Sequence, residues 1–203
     1  MQIAVNKGYY CLPSKSSLLF MDSGLFILSK FPIVYSNFIT YKRSASYDRF
    51  ANKGFQHCEI LINNTHLQSD YGIIDDVQNI KLLQCIQLAD HIKSNISSPY
   101  IICGDLNCNA IDWYSTNDSI LYSNMMKIFS FDKPDDKIYQ SNGRLPTSFS
   151  LYSIDKYIHS EKKNIICLPR CVDYILTKLP IIEASIHSMD ISDHRLLSIT
   201  FNY

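Results

Sequence analysis

The chain has 203 residues, 46% hydrophobic and 19% charged, enough apolar material for one cored domain and too much for wholesale disorder. Nineteen Lys and Arg balance nineteen Asp and Glu, so no global positive field holds a nucleic-acid backbone, although a local basic groove fits that balance. No apolar run approaches the roughly 18 residues of a membrane span, and the first residues lack a leader pattern. A single domain over residues 1–203, intracellular and cytoplasmic, is the expectation. The seven cysteines are an odd number. Cys167 and Cys171 have no second Cys/His pair at zinc-ligand spacing, so the cysteines read as reduced, packed thiols. Isoleucine occurs 28 times against 4 valines, a compositional bias that makes spacing a better guide than propensity.

In chain order, Gly24 to Lys30 is a short apolar run stopped by Phe31-Pro32 and reads as a buried strand. Residues 38–53 are polar and mixed, with Lys42, Arg43, Arg49 and Lys53 against one acid, Asp48, and read as a loop. Phe55 to Ile62 reads as a strand running on into Asn63 to Gln68. From Asp75 to about Asn95 the spacing turns helical, with Leu82, Cys85, Ile86, Ala89 and Ile92 on the apolar face and Lys81 and Gln84 elsewhere. Asp75 or Asp76 is placed to cap it. Pro99 breaks the chain, and Tyr100 to Cys103 reads as a central strand ending at Gly104-Asp105. Residues 119–131 read as a shorter helix, and 132–165 are polar with weak periodicity. Cys171 to Thr177, Ile181 to Ser188 and Arg195 to Phe201 read as three closing strands. The mixed order argues for a layered α/β or α+β sandwich.

Four apolar strands meet polar residues that a core would not choose: Thr65-His66-Leu67-Gln68, Gly104-Asp105-Leu106-Asn107, Asp173 inside Val172 to Leu176, and Ser192-Asp193-His194. Each has a plain reading alone, as a satisfied histidine, a turn or a paired acid. Gathered at one strand edge they would line a cleft. A histidine there can act as general base, and a buried aspartate can hold its tautomer. The remaining carboxylates and amides can take a hard cation through oxygen. Such a set suits attack of water on a phosphorus centre.

In this order the motifs resemble those of the endonuclease/exonuclease/phosphatase superfamily, the deoxyribonuclease-I-like proteins. Asp22 to Ile33 is similar to the family's strand ending in Ser-Lys-x-Pro-Ile. Phe50-Ala-Asn-Lys53-Gly54-Phe55 and Thr65-His-Leu-Gln68 resemble its neutral sphingomyelinase branch. The resemblance covers about residues 20–203. It implies an α+β fold, an α/β/β/α four-layer sandwich of two stacked mixed sheets flanked by helices. It implies His194 as the base that activates water, Asp173 as its orienting partner, and Asp193 at the metal. Asp105 and Asn107 would sit at the scissile phosphate, His66 would contact a phosphate oxygen or the leaving group, and Lys53 would be a phosphate-side cation. The implied cofactor is Mg²⁺, and the implied reaction is cleavage of a phosphodiester by a metal-dependent hydrolase.

The family normally begins with a strand bearing Asn and a later strand ending in Glu, the principal Mg²⁺ ligand. Nothing before Gly24 matches these, and Glu59 and Glu161 stand elsewhere. The expectation is an N-terminally truncated domain short by about 40–60 residues, with association with a missing N-terminal segment. The aromatic-tipped hairpin of secreted bacterial sphingomyelinases has no counterpart in residues 179–191, which contain no aromatic. Three functions follow: a Mg²⁺-dependent phosphodiesterase cleaving a phospholipid such as sphingomyelin, a DNA or RNA nuclease of the same superfamily, which the balanced charge counts against and the basic segment 42–53 and Arg144 leave open, and an inactive remnant or half of a split enzyme.

Overall fold

The computed structural model describes residues 5–13, 22–58, 62–70, 76–96, 99–110, 119–130, 171–187 and 194–201. Asp193, Glu59, Arg144, Glu161 and the polar stretch 132–165 lie outside the described residues. The chain forms two units, residues 1–107 with 176–178, and residues 108–175 with 179–203. The described cysteines are not disulfide-bonded, and Cys58, Cys85, Cys108 and Cys171 are buried. Among the described residues no helix is long and apolar enough to cross a membrane.

In the first unit β1 (Tyr10–Leu12) pairs antiparallel with β2 (Ile27–Ser29), Tyr10 opposite Ser29. β2 is the expected buried strand; β1, only three residues long, carried no sequence signal. A second, mixed sheet contains β3 (Ser36–Thr40), β4 (Gly54–Cys58), β5 (Ile62–His66) and β6 (Ile101–Asp105) side by side in that order. The first two pairings are antiparallel and the third, β5 with β6, is parallel.

A parallel pair needs a crossover connection, and α1 (Val77–Asn95) lies in the chain between β5 and β6. It starts after Asp76, whose carboxylate accepts from Asn79 Nδ2 at 2.6 Å and makes no bond to the helix backbone. It ends at the extended Ile96, three residues before Pro99. Phe55, Leu67, Leu88, Ile102 and Leu106 are wholly buried in this unit, each such side chain contributing about 1.5–3 kcal/mol of hydrophobic stabilisation.

The second unit contains α2 (Ile120–Ile128), capped by Ser119 Oγ accepting from the Tyr122 N–H at 3.2 Å. It also holds Asp173–Ile175 of β7 (Asp173–Thr177), whose last two residues belong to the first unit. β8 (Ile181–His187) and β9 (Leu196–Phe201) form an antiparallel pair, Ile181 opposite Phe201, with an irregularity between Ile181 and Glu183. Among the described residues, one mixed sheet, two antiparallel pairs and the helices α1 and α2 make the architecture α+β.

Three readings change. The segment 38–53 is not loop throughout: β3 covers its first residues, and Ser46–Arg49 is a 3₁₀ turn. The run from Phe55 to Gln68 is two antiparallel strands, Cys58 facing Ile62; residues 58–62 contain no Gly, Pro, Asn or Asp that would mark a reversal. The buried face of α1 is Val77, Ile80, Lys81, Gln84, Cys85, Leu88, Ala89 and Ile92, while Ile86 is exposed. The stripe is turned by about one residue from the expected one, and it takes Lys81 and Gln84 inward because both find polar partners there.

Candidate functional site

The parallel register of β5 and β6 puts Thr65 opposite Gly104 and His66 opposite Asp105. The strands approach closely because position 104 has no side chain. A Cβ there would lie 1.9 Å from the Thr65 carbonyl oxygen, and φ is +128°, a conformation that favours glycine. Past this point the Leu67 N–H donates to the Asp105 carbonyl at 3.0 Å. His66 Nε2 lies 3.6 Å from Asp105 Oδ2, with both side chains partly open to solvent.

Asp105 Oδ1 accepts the Asn107 N–H at 2.9 Å, closing a tight turn. Asn107 sits at φ +48°, which asparagine tolerates better than most residues. Its Nδ2 donates to the Leu67 carbonyl at 3.1 Å, tying the end of β6 to the chain after β5. Lys81, 1% exposed, reaches from α1 to donate to the Asn107 carbonyl at 2.7 Å and to Asp70 Oδ1 at 2.6 Å. Gln84, one turn on, accepts the Gln68 N–H at 2.8 Å and donates to the Arg43 carbonyl at 2.6 Å.

Lys53 lies beneath this group and not on its surface. It is 5% exposed, its Nζ is 3.4 Å from the Leu67 carbonyl and 3.8 Å from Asp48 Oδ1. Burial lowers its pKa below the ordinary lysine value, opposed by the charges of Asp48 and Asp105. Gly54 beside it is required, because a Cβ would meet the Ile39 carbonyl oxygen at 2.3 Å.

In the second unit His194 Nδ1 lies 2.6 Å from Asp173 Oδ2, the side chains 31% and 17% exposed. With Nδ1–H donating to the carboxylate, Nε2 keeps its lone pair and can accept a proton, and the carboxylate stabilises the imidazolium that results. Next to Asp173, Tyr174 stacks on Tyr122 with ring centroids 5.7 Å apart. Its hydroxyl lies 2.5 Å from the Cys108 carbonyl and 2.6 Å from that of Cys171. Burial is the main reason that its pKa stands well above the ordinary tyrosine value.

The structure thus brings His66, Asp105 and Asn107 together over Lys53 in one unit, and Asp173 and His194 together in the other. The partly buried carboxylates Asp105, in the first unit, and Asp173, in the second, are each hard oxygen donors of the kind Mg²⁺ takes with waters completing its shell, so the donor chemistry of each fits such an ion. Lys81, Gln84 and Asp48 support the first group and were not singled out from sequence, and Gln68, the last residue of the Thr65-His66-Leu67-Gln68 motif, had no role assigned to it. The signal for the two α1 residues was present: Val77, Ile80 and Leu88, followed at helical spacing, carry the buried stripe through positions 81 and 84.

No family model matches the chain. The chain is 30% identical over 131 residues to a sphingomyelinase C of Listeria ivanovii, covering 59% of this chain and 37% of the relative. It is 24% identical over 186 residues to a sphingomyelinase of Dictyostelium discoideum, covering 73% and 39%. The chain therefore spans well under half the length of these relatives. A beta toxin of Staphylococcus aureus, solved with bound magnesium ions, matches with a TM-score of 0.63 at 20% identity, over 96% of this chain and 75% of the other. That likeness shows the fold, the deoxyribonuclease-I-like α+β fold.

Proposed function

We propose, for a chain that belongs to the endonuclease/exonuclease/phosphatase superfamily in its sphingomyelinase-like branch, that it hydrolyses a phosphodiester in a phospholipid head group, with sphingomyelin as substrate. The observation that carries this is the 2.6 Å contact of His194 Nδ1 with Asp173 Oδ2, which frees Nε2 for proton transfer. The choice of sphingomyelin is supported by the chain's similarity to sphingomyelinases.

In this reading His194 Nε2 takes a proton from water as its oxygen bonds to phosphorus, and the bond from phosphorus to the lipid alkoxide breaks. Asp173 holds the proton on Nδ1 and balances the imidazolium. Asp105 and Asn107 orient the water and the phosphoryl oxygens, and His66 faces a phosphate oxygen or the leaving group. Lys53 acts from below through its field on Asp105, since its ammonium is buried. Mg²⁺, held through carboxylate oxygen with Asp193 contributing, would neutralise charge developing on the phosphoryl oxygens.

The test is release of phosphocholine from sphingomyelin by the purified chain, with Mg²⁺ or EDTA, beside duplex DNA and RNA. Turnover of sphingomyelin that EDTA and His194→Ala both abolish is the expected result. Nucleic-acid cleavage without lipid turnover would overturn the substrate, and turnover that survives His194→Ala would overturn the base.

A further inference from the structure

The segment between β3 and β4 has two faces of opposite character. In the 3₁₀ turn Ser46–Arg49 and its cap Phe50, the Phe50 N–H donates to the Tyr47 carbonyl at 3.0 Å. Three residues per turn set Tyr47 and Phe50 one above the other, 70% and 60% exposed. Lys42, Arg43 and Arg49 are exposed as well. The one acid among residues 42–53, Asp48, is turned inward, where its Oδ2 accepts the Ser69 N–H at 2.7 Å and its Oδ1 faces Lys53. The exposed side chains of residues 42–50 are therefore three cations and two aromatic rings, with no acid among them.

This face is held rigidly. The Ala45 N–H donates to Gln68 Oε1 at 2.8 Å, and Gln68 Nε2 returns a bond to the Ala45 carbonyl at 3.3 Å. Gln84 grips the Arg43 carbonyl, and the Lys42 N–H donates to Gln87 Oε1 at 3.0 Å. Gln68 follows Thr65-His66-Leu67 directly, so the segment is anchored to the strand end that carries His66.

We propose that residues 42–50 are a docking surface for an anionic phospholipid membrane, with Tyr47 and Phe50 entering the interfacial layer and Lys42, Arg43 and Arg49 meeting lipid phosphates. The proposal rests on the phospholipid reading above and adds how the chain reaches its substrate. Exposed aromatic rings beside cations suit the boundary between head groups and acyl chains, and each cation gains from an anionic surface. A polyanionic duplex is the weaker fit, because the chain's charge is balanced and three cations neutralise few phosphates.

The test is co-sedimentation with vesicles of phosphatidylcholine and phosphatidylserine lacking sphingomyelin, so that binding is read apart from hydrolysis. The chain should sediment with them, and Tyr47→Ala/Phe50→Ala should weaken partitioning by about tenfold or more. Arg43→Gln/Arg49→Gln should weaken it by about fivefold or more and reduce its salt sensitivity. His194→Ala should bind as the native chain does. Both double variants change exposed side chains, and unaltered melting curves would confirm their folding. Native-like binding by both double variants overturns the proposal. So does retention by duplex DNA without vesicle binding, or sphingomyelin turnover without vesicle binding. Vesicle binding without turnover of sphingomyelin keeps the docking surface and removes the catalytic reading.

Discussion

The two groups of candidate catalytic residues are built on different principles. The set at the ends of β5 and β6 is cross-linked: Asn107 alone is tied through its N–H, its side chain and its carbonyl to Asp105, Leu67 and Lys81. Much of that network is buried, and its geometry is fixed by many weak constraints acting together. The Asp173–His194 pair is joined by a short contact between two partly exposed side chains. The first group is a scaffold whose polar bonds serve stability and position at once. The second is, in the proposed reading, a proton-transfer pair on partly exposed side chains, so mutations should separate activity from stability differently in the two.

The largest effect should come from the pair. Asp173→Asn would present an amide N–H toward His194 Nδ1 and drive the ring proton to Nε2, the nitrogen required as base. Activity should fall by about 10²–10⁴-fold while unfolding free energy changes by less than about 1 kcal/mol, read from turnover and urea melts. A matched loss of stability would erase the contrast. Gly104→Ala should do the reverse, because its Cβ would collide with the Thr65 carbonyl. The expected cost is about 3 kcal/mol or more, visible as a lowered melting temperature before any assay of activity.

Lys81→Met tests the scaffold more gently. The methionine stem keeps the packing and leaves the Asn107 carbonyl and Asp70 without their donor, at a cost of about 1–3 kcal/mol. If Lys81 positions Asn107, kcat should drop with KM nearly unchanged. Unaltered kcat in a destabilised variant would leave it a purely structural residue. The smallest effect concerns Cys103 on β6, whose thiol is pushed from 9.0 up to about 12, chiefly by burial. The folded state keeps that proton where the unfolded chain loses it. The thiol's contribution is therefore complete below pH 9 and is lost as pH rises toward about 12. Cys103→Ala should lose less stability than the native chain across that range in urea melts, and parallel curves would remove Cys103 as a source of alkaline sensitivity.

Much of the frame was legible because its signals are local. The α1 and α2 spans, β2, and the three closing strands follow from periodicity and from breakers such as Pro32 and Pro99. Thr65-His66, Gly104-Asp105-Leu106-Asn107, Asp173 and His194 stood out as polar residues where apolar runs end. The 3₁₀ turn at Ser46–Arg49 was not legible, since one turn has no period to detect. The reversal between Cys58 and Ile62 was hidden because no Gly, Pro, Asn or Asp stands among residues 58–62 to mark a turn. Lys81 was assigned outward by its charge, and only the Asn107 carbonyl and Asp70 make its burial tolerable.

Residue identity and order along the chain were enough to define the chemistry on offer: two histidines, carboxylates and an amide at strand ends, in the order of a known superfamily. Which atoms meet was decided by the tertiary structure. His66 faces Asp105 because β5 and β6 run parallel in one register, a pairing made across a 19-residue helix. His194 meets Asp173 across residues that include β8. Such contacts depend on strand register and crossover, which are cooperative properties of a packed sheet and leave no mark in any short window of sequence.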